Sequence, residues 1–173
     1  MTLATHIVTG AAVAGVLTKD PTAAFLAGWV SHYLLDALPH WDYPIASFEA
    51  KDEQKPLEKK VEFGVVFVKD VVKVLTDACL GFVLLYITIW GSGDVSPDML
   101  VILLAGAFGG VFPDFLQFLY GVWNVWPLRK LQEFHHFIHA DLRLDDRPRL
   151  GVPMQIGIIS FAGLVLLAYL LGN

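Results

Sequence analysis

One cysteine, Cys79, is all that the 173 residues contain, so the chain has neither an intramolecular disulfide framework nor a thiolate metal cluster. Charge is also scarce, at 17% of residues against about 25% in ordinary soluble domains. The balance is acidic, with a formal net charge of −5, and no basic stripe is available to neutralise phosphates. Nucleic acid is therefore not expected as a partner. No lysine or arginine precedes Lys19, so the apolar opening lacks the positive n-region of a secretory signal. With His6 interrupting that run, the reading is a retained first helix.

What is abundant is apolar: 55% of residues are hydrophobic and they are collected into long runs. Five segments can be drawn, over about 3–17, 21–38, 61–90, 97–120 and 151–171. Asp20-Pro21 and Ser96-Pro97-Asp98 are cap-plus-proline helix starts. A bilayer core asks for about 20 helical residues; the last three segments meet that or nearly so, and the first two are short. The expected fold is all-α: a single integral membrane bundle, residues 1–173, of about five transmembrane helices. Lys51, Lys55, Lys59 and Lys60 lie in one loop, and Arg129, Lys130, Arg143, Arg147 and Arg149 in another, whereas residues 91–98 carry no basic residue. With five spans both basic loops fall on one side. The positive-inside rule makes that side cytoplasmic, places the chain in the cytoplasmic (inner) membrane and puts its N-terminus inside.

The six histidines are His6 and two clusters. His32, Asp36 and, if the helix continues that far, His40 are spaced i, i+4, i+8 and share a helix face, with Asp42 just beyond. His135, His136 and His139 follow about a hundred residues later, with Asp141 behind them. Imidazole and carboxylate converging from one face suit a divalent metal, zinc first and manganese second, as one ion or two. The orientation above brings both clusters to the same cytoplasmic side, together with His6, Asp114 after Pro113, and Asp77 inside the third span. His32, Asp36, His135 and His139 are the first candidate ligands, followed by Asp42, Asp114, His6 and Asp77. His40 or His136 is the candidate proton shuttle. Arg143 and Arg147 are candidates for gripping a phosphate or lipid headgroup.

Plainer readings stand beside these. The His32–Asp42 stretch has as its alternative a helix end at the interface, with aromatic anchors beside solvated polar groups. Residues 126–139 read as an amphipathic interfacial helix. Asp77 is either a functional intramembrane acid or the partner of Lys73, and Asp114 either a ligand or a topological stop.

The layout resembles the YdjM-like family of inner-membrane, metal-dependent hydrolases: an early Thr5-His6, a span closing in Leu38-Pro39-His40-Trp41-Asp42, then Phe112-Pro113-Asp114, then His135-His136 with His139. His32-Tyr33-x-x-Asp36-x-x-Pro39-His40 is also similar, locally, to a stretch of the zinc-dependent phospholipases C and their nuclease relatives. In those enzymes the His and Asp of that stretch ligate zinc from a helix. The resemblances imply metal-assisted hydrolysis, with a phosphoester of a lipid or lipid-linked molecule as substrate and membrane lipid as surroundings. The alternative function is non-enzymatic metal binding or metal transport.

Overall fold

A computed structural model describes residues 1–48, 57, 60–139 and 144–172. The described residues form six α-helices and one 3-10 turn, without strands: α1 (Leu3–Leu17), α2 (Pro21–Asp36), a turn at Ala46–Phe48, α3 (Val65–Ser92), α4 (Pro97–Trp123), α5 (Trp126–Ile138) and α6 (Pro148–Leu171). Both cap signals hold. Asp20 accepts from the Ala23 N–H at 2.7 Å, Ser96 accepts from the Met99 N–H at 3.2 Å, and each has proline at the first helical position.

Three helices, α3, α4 and α6, are long and apolar enough to cross a membrane, not five. The reason is length and placement. With 15 and 16 residues, α1 and α2 reach only about 22–24 Å, short of a hydrocarbon core of about 30 Å. Nor does α1 face outward. It packs against α2, α3, α4 and α6 and buries Ala4 through Val8 together with Gly10–Ala12, Ala14 and Gly15. A short helix that is apolar all round is a core element. The long helices, by contrast, turn Val68, Val72, Leu75, Leu80 and Trp90 of α3 and Phe161 and Leu164 of α6 outward. Apolar surface of that extent marks a membrane protein.

Glycine sets the spacing of α1, α2 and α4. A Cβ on either Gly10 or Gly28 would overlap the Gly106 carbonyl oxygen, one on Gly109 the Phe25 carbonyl, and one on Gly110 the His6 carbonyl. The three backbones therefore lie in direct contact, as small-residue seams allow in membranes. Ile7, Val8, Ala11, Leu85, Leu103, Ala107 and Leu166 fill the core alongside.

Proline and asparagine fix the ends. Leu38-Pro39 follows α2, which stops at Asp36, because the residue before proline is driven out of the helical region. Pro113 does not stop α4, which runs on to Trp123. Asp114 is thus an internal residue and not a helix-terminal stop. At the real end Asn124 takes the left-handed conformation (φ 38°), and the chain reverses into α5, a helix outside the five expected segments.

The N-terminal ends of α1 and α6 and the C-terminal end of α2 meet at one end of the bundle. There Gln155 accepts from the Thr2 N–H, and Gly151 abuts Trp41. At the opposite end Lys19 donates to the Tyr169 hydroxyl at 2.6 Å.

Gly28→Ala should destabilise the bundle by roughly 1–3 kcal/mol through overpacking. Gly157→Ala, where a Cβ meets nothing within 4 Å, should be neutral or stabilising by up to about 1 kcal/mol. Thermal unfolding of the two variants in mild detergent compares them directly.

Candidate metal centre

Asp36, the last residue of α2, is the hub. It is 1% exposed, and four imidazoles converge on it. Its Oδ2 lies 3.1 Å from His32 Nε2 and 3.0 Å from His135 Nε2. Its Oδ1 lies 3.2 Å from His6 Nε2 and 3.8 Å from His40 Nε2. The Met1 amino group also donates to Asp36 Oδ1 at 3.0 Å and lies 2.9 Å from Asp42 Oδ1. Burial works against that ammonium's charge, but Asp36, Asp42 and Asp114 outweigh it and raise the amine to about 10.

Two ligand groups share this carboxylate. One is His32, Asp36, Asp114 and His135; the other is Asp36, His40 and His139. In each group the ligand atoms lie within 4.8 Å of one another. Ligands held about 2.1 Å from a tetrahedral ion stand about 3.4 Å apart. The separations across Asp36 Oδ2, together with 3.5 Å between His32 Nε2 and His135 Nε2, bracket that value.

Backbone carbonyls decide how two of the rings present themselves. His32 Nδ1 donates to the Gly110 carbonyl at 2.8 Å and His40 Nδ1 to the Leu38 carbonyl at 2.7 Å. A carbonyl only accepts, so the proton of a neutral ring is committed to Nδ1, and Nε2 presents a lone pair. That lone pair faces Asp36 in one case and Asp42 Oδ2, 3.1 Å away, in the other. Lone pair against carboxylate repels unless a cation lies between them. The cation is either a second proton on each ring or one shared metal ion. Fixing a ring through its distal nitrogen is also how metal-ligating histidines are generally held.

His6 adds a third signal. Its ring is fully buried and stacked on His32 with centroids 4.0 Å apart, and neither ring nitrogen makes a hydrogen bond. Its Nε2 has proximity to Asp36 without alignment. A buried imidazole left in that condition is costly, and a ligand in the cluster would satisfy it. The donor set, neutral nitrogens and carboxylate oxygens with no thiolate, fits a divalent metal ion.

The exposed edges of the cluster are carboxylates. Asp42 and Asp114 have side chains 37% and 31% exposed, whereas His32 and Asp36 are closed off. Asp114 Oδ1 is 3.8 Å from His32 Nε2, and Asp42 Oδ2 is 3.9 Å from His139 Nε2. Burial would raise the Asp42 carboxyl, but His40, when its ring carries a second proton and donates from Nε2, together with the Met1 ammonium outweighs it and holds it below the usual carboxylate range. Leu144 and Asp145 latch onto the same place: the Leu144 N–H donates to the His40 carbonyl at 2.9 Å and the Asp42 N–H to Asp145 Oδ1 at 3.1 Å.

The structure thus brings together His6, His32, Asp36, His40, Asp42, Asp114, His135 and His139. It does not bring in Asp77, His136 or Arg147. Asp77 neither joins the cluster nor pairs with Lys73. Its carboxylate accepts from the Leu3 and Ala4 N–H groups at 2.6 and 3.2 Å and from the Tyr43 hydroxyl at 3.1 Å, capping α1, while Lys73 pairs with Asp70 at 2.8 Å. His136 is exposed on α5, about 100° round the helix from His135, and of the two candidate proton shuttles only His40 lies at the cluster. Arg147 is exposed at the start of α6, and Arg143, like Asp141, lies outside the described residues. Glu133, a possible outer partner by sequence, binds Arg129 and Lys130 instead.

Sequence reasoning missed Gln155. This buried amide of α6 accepts from the Thr2 N–H (2.9 Å) and from the Thr5 hydroxyl (3.4 Å) and donates to the Trp41 carbonyl (2.7 Å), tying the start of α1 to the His40–Asp42 segment. Its signal was an amide within an otherwise apolar span. No protein-family model, curated protein or solved structure matches the chain.

Asp77→Ala should lower stability by roughly 0.5–2 kcal/mol through loss of the α1 cap. It should leave the retained divalent metal, measured by elemental analysis, unchanged. Loss of metal in this variant would return Asp77 to the ligand set.

Proposed function

We propose that the chain is a membrane-embedded, metal-dependent hydrolase acting on a phosphoester of a lipid or lipid-linked substrate. The observation that carries this reading is the pair of imidazoles, His32 and His40, pinned through Nδ1 so that their Nε2 lone pairs face carboxylates. Zinc or manganese in such a site supplies Lewis-acid polarisation of the phosphoryl oxygen and lowers the pKa of water toward about 7. His32, Asp36, Asp114 and His135 are the holding group, with His6 filling in behind His32. His40 and Asp42, 3.1 Å apart beside this group, form the pair that moves a proton toward the leaving oxygen. The second group, Asp36 with His40 and His139, admits a second ion. Two bound equivalents would shift His40 from proton handling to ligation.

Depth favours a lipid. Asp77 is level with the start of α1 through its bonds to Leu3 and Ala4. Lys73, one turn nearer the end of α3 and 45% exposed, marks the membrane boundary. The cluster then sits about 6 Å from Lys73 along the axis, close beneath the headgroup layer, from which a lipid phosphoester can enter sideways. The basic residues at this end, among them Lys69, Lys73, Arg129, Lys130, Arg147 and Arg149, orient it to the cytoplasm under the positive-inside rule, with the N-terminus inside. Transport is the weaker alternative, because the buried residues that fill the bundle beyond the cluster, Ile7, Leu85, Leu103 and Leu166 among them, are apolar.

Purified without a polyhistidine tag, the protein should retain zinc or manganese at one or more equivalents per chain, and His32→Ala and Asp36→Asn should each abolish it. Hydrolysis of a lipid phosphoester should fall by at least a hundredfold in the same variants. Absence of metal after incubation with either ion and desalting would remove the basis of the hydrolase reading.

The sign of the pH dependence follows from competition, since protons and metal seek the same imidazole nitrogens. Affinity should be level above about pH 7 and fall below about 6.5, by up to about a hundredfold per pH unit where two histidines titrate together. An affinity flat from pH 7.5 to 5 would exclude the histidines as ligands.

A further inference from the structure

Helix α5 supplies two of the histidines, His135 and His139, yet it is among the least embedded elements of the fold. Taking Trp126 as zero and about 100° per residue, His135, Gln132 and His139 fall between about 180° and 240°. Gln132 and His135 are buried there, and His139 is partly so. Trp126, Phe137 and Phe134 fall within about 80° of one another on a second face, and they are 72%, 84% and 48% exposed. Arg129 and His136 fall near 280–300° on a third, exposed edge. A helix that only covered a site would need one apolar stripe, toward the bundle. This one carries a second, made of three aromatics, with charge beside it. Water does not favour that surface, and no segment among the described residues covers it.

The neighbouring surface says what does. Phe134 packs edge-on against Tyr33 of α2, with centroids 5.0 Å apart. From there Leu38, Leu34, Val30 and Leu26 continue along α2 as an exposed apolar line, 46–67% exposed. The aromatic face of α5 therefore extends an apolar surface running along the bundle axis, at the end where Lys73 marks the boundary. Arg129, at about 300°, and Glu133, at about 340°, occupy the edge toward water; Lys130, at about 40°, starts within the aromatic face and turns its ammonium back to Glu133 at 2.7 Å, as a snorkelling lysine does. Aromatic residues at this level, on a helix with a basic edge, are the pattern of a helix lying in the membrane interface.

We propose that α5 is a lipid-seated helix and that its contact with the bilayer surface holds His135 and His139 in the centre, so metal affinity depends on lipid contact. The inference rests on the cluster being a metal site, and its partner is the bilayer itself. Seated, α5 completes both ligand groups; lifted, it leaves His6, His32, Asp36, His40, Asp42 and Asp114. The substrate's own medium then controls how complete the centre is.

Phe137 and Trp126 give a sharp test because both side chains stand out from the bundle. The full chain is placed in nanodiscs of phosphatidylcholine and phosphatidylglycerol, and Zn2+ affinity is measured by competition with a chromophoric chelator. Trp126→Asp with Phe137→Asp should weaken zinc at least tenfold, toward the value of His135→Ala with His139→Ala. Phe137→Leu, which keeps an apolar contact, and His136→Asp, which puts a carboxylate on the watery edge, should each stay within about threefold of wild type. Wild-type affinity in the Trp126/Phe137 double variant would overturn the proposal. So would an equal loss in His136→Asp, since the effect would then not belong to the lipid face. Failure of wild type to bind zinc under these conditions is a separate result, which overturns the metal reading itself.

Discussion

A carboxylate buried at the end of a short helix, inside an apolar bundle, sets the terms for everything around it. Moving an isolated charge out of water costs on the order of several kcal/mol even after relaxation, so Asp36 persists only where opposite charge or donors surround it. The chain meets that demand from separate elements: His6 from α1, His32 from α2, His135 from α5, His40 from the segment after α2, and the Met1 amino group. Each lies within 3.8 Å of one of the same two oxygen atoms, the ammonium as a donor and the pinned imidazoles through a proton or a metal ion between them. The helix ends converge at that point, and the loops beyond them, including Leu144–Asp145 on His40 and Asp42, are anchored against it.

Convergence of that kind needs backbones that approach closely, and the glycine seam supplies it. Gly10, Gly28, Gly106, Gly109 and Gly110 bring α1, α2 and α4 into direct contact, which leaves the imidazoles of His6 and His32 stacked face to face. Side chains at those positions would move the two rings apart and separate both from Asp36. Packing and chemistry are thus specified by neighbouring residues on the same helices: Gly10 is one turn from His6, and Gly28 one turn from His32.

Much of this was legible in the sequence. The histidine and aspartate spacings identified the residues that meet, because i, i+4 periodicity and membrane sidedness are local or one-dimensional properties. Cap residues located the starts of α2 and α4 for the same reason. The number of spans was not legible in this way. Hydropathy measures how apolar α1 is, but it does not distinguish a helix facing lipid from one facing four other helices. Asp77 was ambiguous because a carboxylate that caps a helix far away in sequence has the same local signature as one that binds a ligand. The roles of the Gly110 and Leu38 carbonyls were invisible altogether, since any residue carries a carbonyl. Gln155 had a signal, one amide in an apolar run, but no partner could be assigned without the fold.

The Gly110 carbonyl joins two properties that are usually separate. It belongs to the turn of α4 that packs against α1, and it also accepts the Nδ1 proton of His32. In the same turn Pro113 lacks the N–H that a helix would direct at Gly109, so this stretch of backbone is less constrained by its own helix than its neighbours are. The position of α4 at this turn therefore bears on which nitrogen of an imidazole on α2 carries the proton, with no side chain of α4 involved.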